Sequence, residues 1–263
     1  MLLTLDVGNT QIFGGVFKED QIQLRFRKTS KDRPSSDEYG LFLKSVLREN
    51  QIDPRSIQKI VISSVVPELN YSLNGACVKY FGARPLFLQA GVKTGLKIKT
   101  ANPQEVGADL IANAIAATEL YPDTHILLVD CGTANTFSAI NRAREYLGVS
   151  IVPGLKLAME SLQHGTAKLP SVEIKAVTQA VGRTTSEAIQ SGLYWQAVGM
   201  IKEMVFQLKQ QDFKDQPLKV IGTGGLGMML QASGVFDVYE PDLILIGLYK
   251  VAQMNLGLFE EIP

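Results

Sequence analysis

The sequence predicts an α/β fold made of two related halves. Three observations carry that reading. Short apolar runs rich in β-branched residues alternate with amphipathic stretches along the whole chain. A strand-and-loop motif near the N-terminus returns 124 residues later, close to half of the 263 residues. Finally, 46% of the residues are hydrophobic and 20% charged, which leaves enough apolar side chain for a substantial core.

Taken in order, Leu2–Val7, Gly14–Phe17 and Gln23–Lys28 read as three strands joined by turn-forming residues. Asp37–Glu49 is amphipathic and helical. Ile60–Val66 is a buried strand that Pro67 ends, and Pro85–Leu88 is a further short strand. Asn102-Pro103-Gln104-Glu105 has the spacing of a capped helix start, with the helix running to about Leu120. The strand pattern then restarts at Ile126–Asp130, Thr136–Ile140 and Gly148–Val152. A helix follows Pro153-Gly154, and Thr184 and Glu187 form a second capping-box spacing that opens a long helix to about Gln210. Lys219–Thr223 is a strand, Gly224-Gly225 a sharp turn into a short helix, Val235–Val238 a strand, and Asp242–Leu256 a closing helix.

Charge and composition exclude several classes. Lys and Arg total 26 against 26 Asp and Glu, so the formal net charge is zero, which argues against a nucleic-acid partner. No stretch reaches the ~20 apolar residues of a membrane span, and the N-terminus has no basic or long apolar leader. Cys77 and Cys131, with His125 and His164, are too few for a disulfide framework, and leave a zinc site or a Ser-His-Asp hydrolase little to draw on. The expectation is a cytoplasmic protein.

The repeat places Leu3-Thr4-Leu5-Asp6-Val7-Gly8-Asn9-Thr10 over Leu127-Leu128-Val129-Asp130-Cys131-Gly132-Thr133-Ala134. Each copy is a buried strand ending in Asp-x-Gly, then small polar residues, then a second strand. A repeat of this period points to duplication of a whole domain, not to a solenoid. Glycine past a strand end lets backbone N–H groups approach an anion, and Asn or Thr side chains add donors. The aspartate repels phosphate but can hold a cation or its water shell. Two such loops across a cleft would clasp a polyphosphate, although Asp-x-Gly after a strand is also a common tight turn. Asp109 shares a helix face with Val106, Leu110 and Asn113, and an acid on a mostly apolar face has a raised pKa that suits it to accept a proton. The plainer alternative is that Asp109 answers the positive end of its own helix.

Asp6-Val7-Gly8-Asn9-Thr10, Gly107-Ala108-Asp109, Asp130-Cys131-Gly132-Thr133-Ala134, Ile151-Val152-Pro153-Gly154-Leu155 and Thr223-Gly224-Gly225 occur in the order seen in type III pantothenate kinases. The chain resembles that family end to end. The resemblance implies two duplicated actin-like ATPase (RNase H-like) domains flanking a nucleotide cleft, cut at residues 1–117 and 118–263. It implies transfer of a phosphoryl group from ATP, with Mg2+, to the primary hydroxyl of pantothenate, the first step of coenzyme A synthesis. A monovalent cation (K+ or NH4+) and a homodimer are implied as well. On this pattern Asp6, Val7, Gly8, Asn9, Thr10, Gln11, Ile12 and Phe13 form the first phosphate loop, Thr133 belongs to the second, and Thr223, Gly224 and Gly225 make the adenosine-side turn. Asp130 matches the cation ligand and Asp109 the general base. Thr100, Gly107, Ala108, Leu110 and Thr185 complete the acceptor side.

The departures from the pattern cluster at that acceptor side. Leu110 stands where the family has Arg, Thr100 where it has Tyr, and Thr136-Phe137-Ser138 where it has Thr-x-Asp. The alternatives they raise are a kinase for another small hydroxyl compound, a nucleotide-binding regulator and, in the same fold, a phosphatase. A working pantothenate kinase would need Lys or Arg from elsewhere to hold the carboxylate.

Overall fold

The computed structural model describes residues 1–31, 33–214 and 216–259. It divides into two compact units, the first made of Met1–Gly95, Asn102–Ala116 and the segment from Leu243 onward, the second of Leu96–Ala101 and Ala117–Asp242.

In the first unit, β1 (Leu2–Val7), β2 (Gln11–Lys18) and β3 (Gln21–Thr29) form an antiparallel meander. Then come α1 (Ser36–Glu49), β4 (Lys59–Ser64), α2 (Pro67–Phe81) and β5 (Leu86–Phe87). The sheet order is β3-β2-β1-β4-β5, with β4 parallel to β1 and β5 parallel to β4. Strand alternation assigns the two faces. Leu3, Leu5, Val7, Ile12, Val16, Leu24 and Phe26 join Tyr39, Leu43 and Leu47 of α1 and Leu69 and Leu73 of α2 in one core. Thr4, Asp6, Phe13 and Gly15, which sit between them in sequence, belong to the opposite face.

The second unit opens with β6 (Lys97–Ile98); the chain then passes through the first unit, where α3 (Ala108–Leu120) begins. Next come β7 (His125–Cys131), β8 (Ala134–Ile140), β9 (Glu145–Pro153), α4 (Leu155–Gly165), α5 (Thr185–Gln211), β10 (Leu218–Thr223) and β11 (Val238–Tyr239). The order is β11-β10-β7-β8-β9-β6. With β6 set aside, this repeats the first sheet strand for strand, parallel and antiparallel pairs included. Leu127, Val129 and Phe137 pack on Leu155 and Met159 of α4 and on Ile189, Leu193, Ala197 and Ile201 of α5. No described helix is long and apolar enough to cross a membrane.

The division differs from a single cut near residue 118. α6 (Leu243–Met254) packs on β1, β2 and β4, so the end of the chain belongs to the first unit. Leu245 lies over Gly15, and Tyr249 stacks on Phe17 with ring centroids 4.6 Å apart. Its Gly247 runs against the Ala112 carbonyl of α3, an approach no side chain at 247 would allow. The physical reason is that α6 is apolar over Leu243, Leu245, Leu248 and Val251, and it covers the face of the first sheet that α1 and α2 leave open.

Two local readings are corrected as well. Pro67 does not merely end a strand; it opens α2, with Gly82 at φ 64° closing it. Asn70 and Asn74 dilute the helical period of Leu69, Leu73 and Ala76, which hid the helix in the sequence. At Asn102 the reciprocal cap is absent: Pro103–Glu105 is a single 3-10 turn, Val106 is extended, and α3 begins only at Ala108. The Thr184–Glu187 box forms as its spacing predicts.

Candidate active site

The two β-hairpin loops are one device built twice. In the first, the Gly8 N–H donates to the Gln11 carbonyl at 3.1 Å, and the Thr10 carbonyl accepts from the Ser30 N–H at 3.1 Å. In the second, the Gly132 N–H donates to the Ala134 carbonyl at 3.2 Å, and the Thr133 carbonyl accepts from the Gly154 N–H at 3.0 Å. Each loop is therefore closed on itself and tied to the residue after the third strand of its meander. The hydrogen bonds pair Thr10 with Thr133, whereas the gapless sequence match set it against Ala134. Asn9, exposed at the tip, is the extra residue of the first loop.

Burial sorts the first loop further. Val7 and Ile12 are 0% and 2% exposed in the core, so only their backbone could meet a ligand. Asp6 and Phe13 are register partners on the other face, and Gln11 is exposed. With the Gly8 N–H spent on the Gln11 carbonyl, the exposed tip at Asn9 and the small polar side chains at 9 and 10 offer the donor chemistry a polyphosphate requires.

Asp109 is held at the end of β1 by a short chain of contacts. The Val65 N–H donates to the Val7 carbonyl at 3.0 Å. Gly107 turns its bare Cα toward Asp109, and a Cβ added there would stand 3.7 Å from Val65 Cγ1. Because α3 starts at Ala108, Asp109 stands in its first turn and not on a mid-helix face. Its Oδ1 accepts from the Leu110 N–H at 2.8 Å. Two effects oppose each other here. Burial pushes the carboxyl above the ordinary aspartate range, and the backbone N–H groups pull it down; burial is the larger, and the pKa is raised. Burial and the N–H groups at the start of the helix thus both act on Asp109, and desolvation wins; the helix face shared with Val106 does not form, because Val106 is extended and precedes α3.

The remaining acceptor-side candidates divide. Ala108 is half-buried and Leu110 is 8% exposed, packed as an apolar residue. Thr100 is half-buried; its hydroxyl oxygen is out of solvent and has no hydrogen-bond partner among the described residues. Thr185 is exposed at the start of α5. Where the family pattern has a carboxylate, the Ser138 hydroxyl lies 2.9 Å from that of Tyr146, a buried neutral pair.

In the second unit, β7 and β10 run parallel with Asp130 beside Thr223, and the turn after Thr223 folds back onto the second loop. Gly224 adopts φ 84°, and a Cβ there would strike Asp130 Oδ1 and come within 2.7 Å of the Cys131 backbone. The Leu226 N–H donates to the Cys131 carbonyl at 3.2 Å, and the Tyr239 hydroxyl donates to the Gly224 carbonyl at 2.7 Å. The Thr223 hydroxyl donates to the Glu240 carbonyl at 2.7 Å and is buried, so its side chain serves the fold. Thr133 and Gly225 are exposed. Tyr239, which locks the turn, carries no motif that sequence reading could have used; Gly154 stood in the Ile151-Val152-Pro153-Gly154-Leu155 motif, but its tie to the second loop is revealed only by the hydrogen bond to Thr133.

Cys131 is 1% exposed, and burial, reinforced by the neighbouring Asp130 charge, pushes its thiol up to about 12. It is a packing residue, not a reactive thiol. Iodoacetamide at pH 8 is expected to leave it unmodified in the folded protein and to alkylate it after denaturation, as read by mass spectrometry. Rapid alkylation of the native protein would contradict this.

The architecture belongs to the actin-like ATPase and sugar-kinase class. A Campylobacter jejuni protein named for the Baf family superposes with a TM-score of 0.59, covering 97% of this chain and 100% of that one at 22% identity. The Acidaminococcus fermentans (R)-2-hydroxyglutaryl-CoA dehydratase component A does so with a TM-score of 0.54, covering 95% of each chain at 11% identity. The family model for type III pantothenate kinase matches residues 2–207. The type III pantothenate kinase of Legionella pneumophila (strain Corby) is 52% identical over 97% of this chain and 99% of its own. That of Elusimicrobium minutum is 46% identical over the same shares. The chain belongs to the type III pantothenate kinase family. It is a kinase, and the reaction is phosphorylation of pantothenate in coenzyme A biosynthesis.

Proposed function

We propose that Asp109 is the general base of this reaction, taking the proton from the primary hydroxyl of pantothenate. The observation that carries the reading is a carboxyl raised by burial and fastened to the end of β1, next to the first loop. A base of raised pKa is better matched to an alcohol proton than an ordinary aspartate. Bound Mg-ATP supplies the phosphoryl group and the charge neutralisation that loose phosphoryl-transfer transition states need.

In this reading the backbone of Asp6–Phe13, with the side chains of Asn9 and Thr10, and Thr133 of the second loop hold phosphate oxygens. Gly224 and Gly225 accommodate the adenosine side. Asp130 is the cation ligand. Among the described residues no cluster of three or more His, Cys, Asp or Glu could cage a metal. A single half-buried carboxylate fits a weakly held monovalent cation such as K+ or NH4+ better than a divalent one. Gly107, Ala108, Thr100 and Thr185 line the acceptor side. Assembly as a homodimer and a cytoplasmic location belong to the same reading and rest on the family.

The test is turnover of the purified protein. Mg-ATP and K+ with pantothenate are expected to give ADP and phosphopantothenate in equal amounts, with little ADP when pantothenate is left out. Acceptor-independent phosphate release would favour hydrolysis instead. Replacing K+ by Na+ is expected to lower the rate, and Asp130→Ala to remove that salt preference.

A further inference from the structure

We infer that Arg27 is the cationic group that holds the acceptor's carboxylate and so sets acceptor specificity. The inference rests on the reading above, which puts the acceptor hydroxyl at Asp109. Pantothenate carries one negative charge, and position 110 offers a buried leucine instead of a guanidinium.

The register of the first sheet places a replacement. Ser63 of β4, Asp6 of β1, Phe13 of β2 and Arg27 of β3 lie side by side in one cross-strand row. Directly paired residues point to the same face, so Arg27 shares the face of Asp6. β3 alternates cleanly there: Leu24 and Phe26 enter the core, while Arg25 and Arg27 are exposed on the side opposite. α6 covers this face over Gly15 and Phe17, and α3, which carries Asp109, packs on α6 at Gly247. Asp109 and Arg27 therefore lie on the same side of one sheet, within one unit.

The state of the side chain is the second observation. The Arg27 guanidinium carbon sits 4.0 Å above the centre of the Phe13 ring. Stacking fixes the plane and leaves the edge N–H groups open. Among the described residues Arg27 makes no ion pair and no side-chain hydrogen bond, while Arg55 and Arg144 each hold a carboxylate. A stacked, solvent-accessible fork without a counter-ion among the described residues is a donor arrangement that recognises a carboxylate.

The span also fits. Because the guanidinium lies over β2, it is two strand spacings, about 10 Å, from the level of β4, to which the Gly107–Asp109 segment is fastened through Val65. Extended pantothenate measures about 10 Å from its primary hydroxyl to its carboxylate at ordinary bond lengths. A phosphate of the nucleotide is the other anion that could use this fork, and the experiment separates the two.

The experiment is steady-state kinetics of the whole chain with Mg-ATP and K+, comparing pantothenate with pantothenyl alcohol, which lacks the carboxylate. Arg27→Met keeps an apolar stack on Phe13 and removes the charge; Arg27→Lys returns the charge without the fork. Arg27→Met is expected to raise the KM for pantothenate about 10- to 100-fold, the usual loss of a hydrogen bond to a charged group. The kcat and the KM for ATP stay within about twofold, and the alcohol is handled as by the wild type. Arg27→Lys is expected to recover part of the loss. Matching melting curves and circular dichroism verify folding. An unchanged pantothenate KM overturns the inference, and so does a rise shared by the alcohol or carried by ATP. If the wild type itself fails to phosphorylate pantothenate, the reading beneath falls and takes this one with it. An active wild type with an unaffected variant removes only the role of Arg27.

Discussion

Asp109→Asn is expected to lower kcat by about 10²- to 10⁴-fold, the range for loss of a positioned acid–base group, while ATP still binds. Asn is nearly isosteric and keeps the acceptor oxygen that meets the Leu110 N–H, so the start of α3 has no reason to move. What it removes is the ability to take a proton. Single-turnover rates with calorimetric ATP titration check both halves; wild-type turnover would refute the assignment. The same substitution has a stability consequence whose sign follows from the raised pKa. Below the unfolded-state aspartate pKa both states are protonated and the group contributes nothing. As pH rises from there through the higher folded-state value, the native state holds the proton longer, so stability falls, and the cost is fully present only above that folded-state value. Asn never ionises. The variant is therefore expected to melt higher than wild type at pH 7 and alike at acid pH. The same raised pKa shifts the acid limb of the kcat/KM profile above the ordinary carboxylate range.

Gly224→Ala is expected to be strongly destabilising. The left-handed backbone alone costs about 1–3 kcal/mol for a non-glycine residue. The added Cβ would also press on the Cys131 backbone, which is not the movable end of a side chain, and on Asp130. Melting should fall by about 2–4 °C for each kcal/mol, and the KM for ATP should rise because the turn and the second loop separate. Gly225→Ala is the internal comparison. A Cβ there meets nothing within 4 Å and the backbone is not left-handed, so its melting temperature should stay within about 1–2 °C of wild type. Equal damage at both positions would mean that general loop stiffness, not the Gly224 approach, is what matters.

Much of the molecule was legible in the order of residues. The duplicated strand–loop–strand was visible because Asp-x-Gly marks each copy and buried strands of Leu, Val and Ile precede it. The Thr184 cap was legible because its two partners are three residues apart and need nothing else. The Asn102 start looked equally sound but failed: Val106 is extended and Gly107 packs near Val65, so contacts made by chain far away in sequence delay the helix to Ala108. That delay moves Asp109 from a helix face into the first turn. α6 illustrates the same limit. Its apolar period announces a helix but not which sheet it covers, and its packing on β1, β2 and β4 overturned the cut near residue 118.

The sequence by itself determined the fold class, the family and the two Asp-x-Gly loops, and it singled out Asp109 as the proposed base, because each is carried by neighbours or by a motif repeated in order. Only the tertiary structure decided that Thr10 answers Thr133, that Gly224 locks against Asp130 and Cys131, and that Arg27 stands in line with Asp6. These are cross-strand and through-space relations. Their partners lie 20 to more than 90 residues apart in the chain, and strand register brings them together, which no local periodicity encodes.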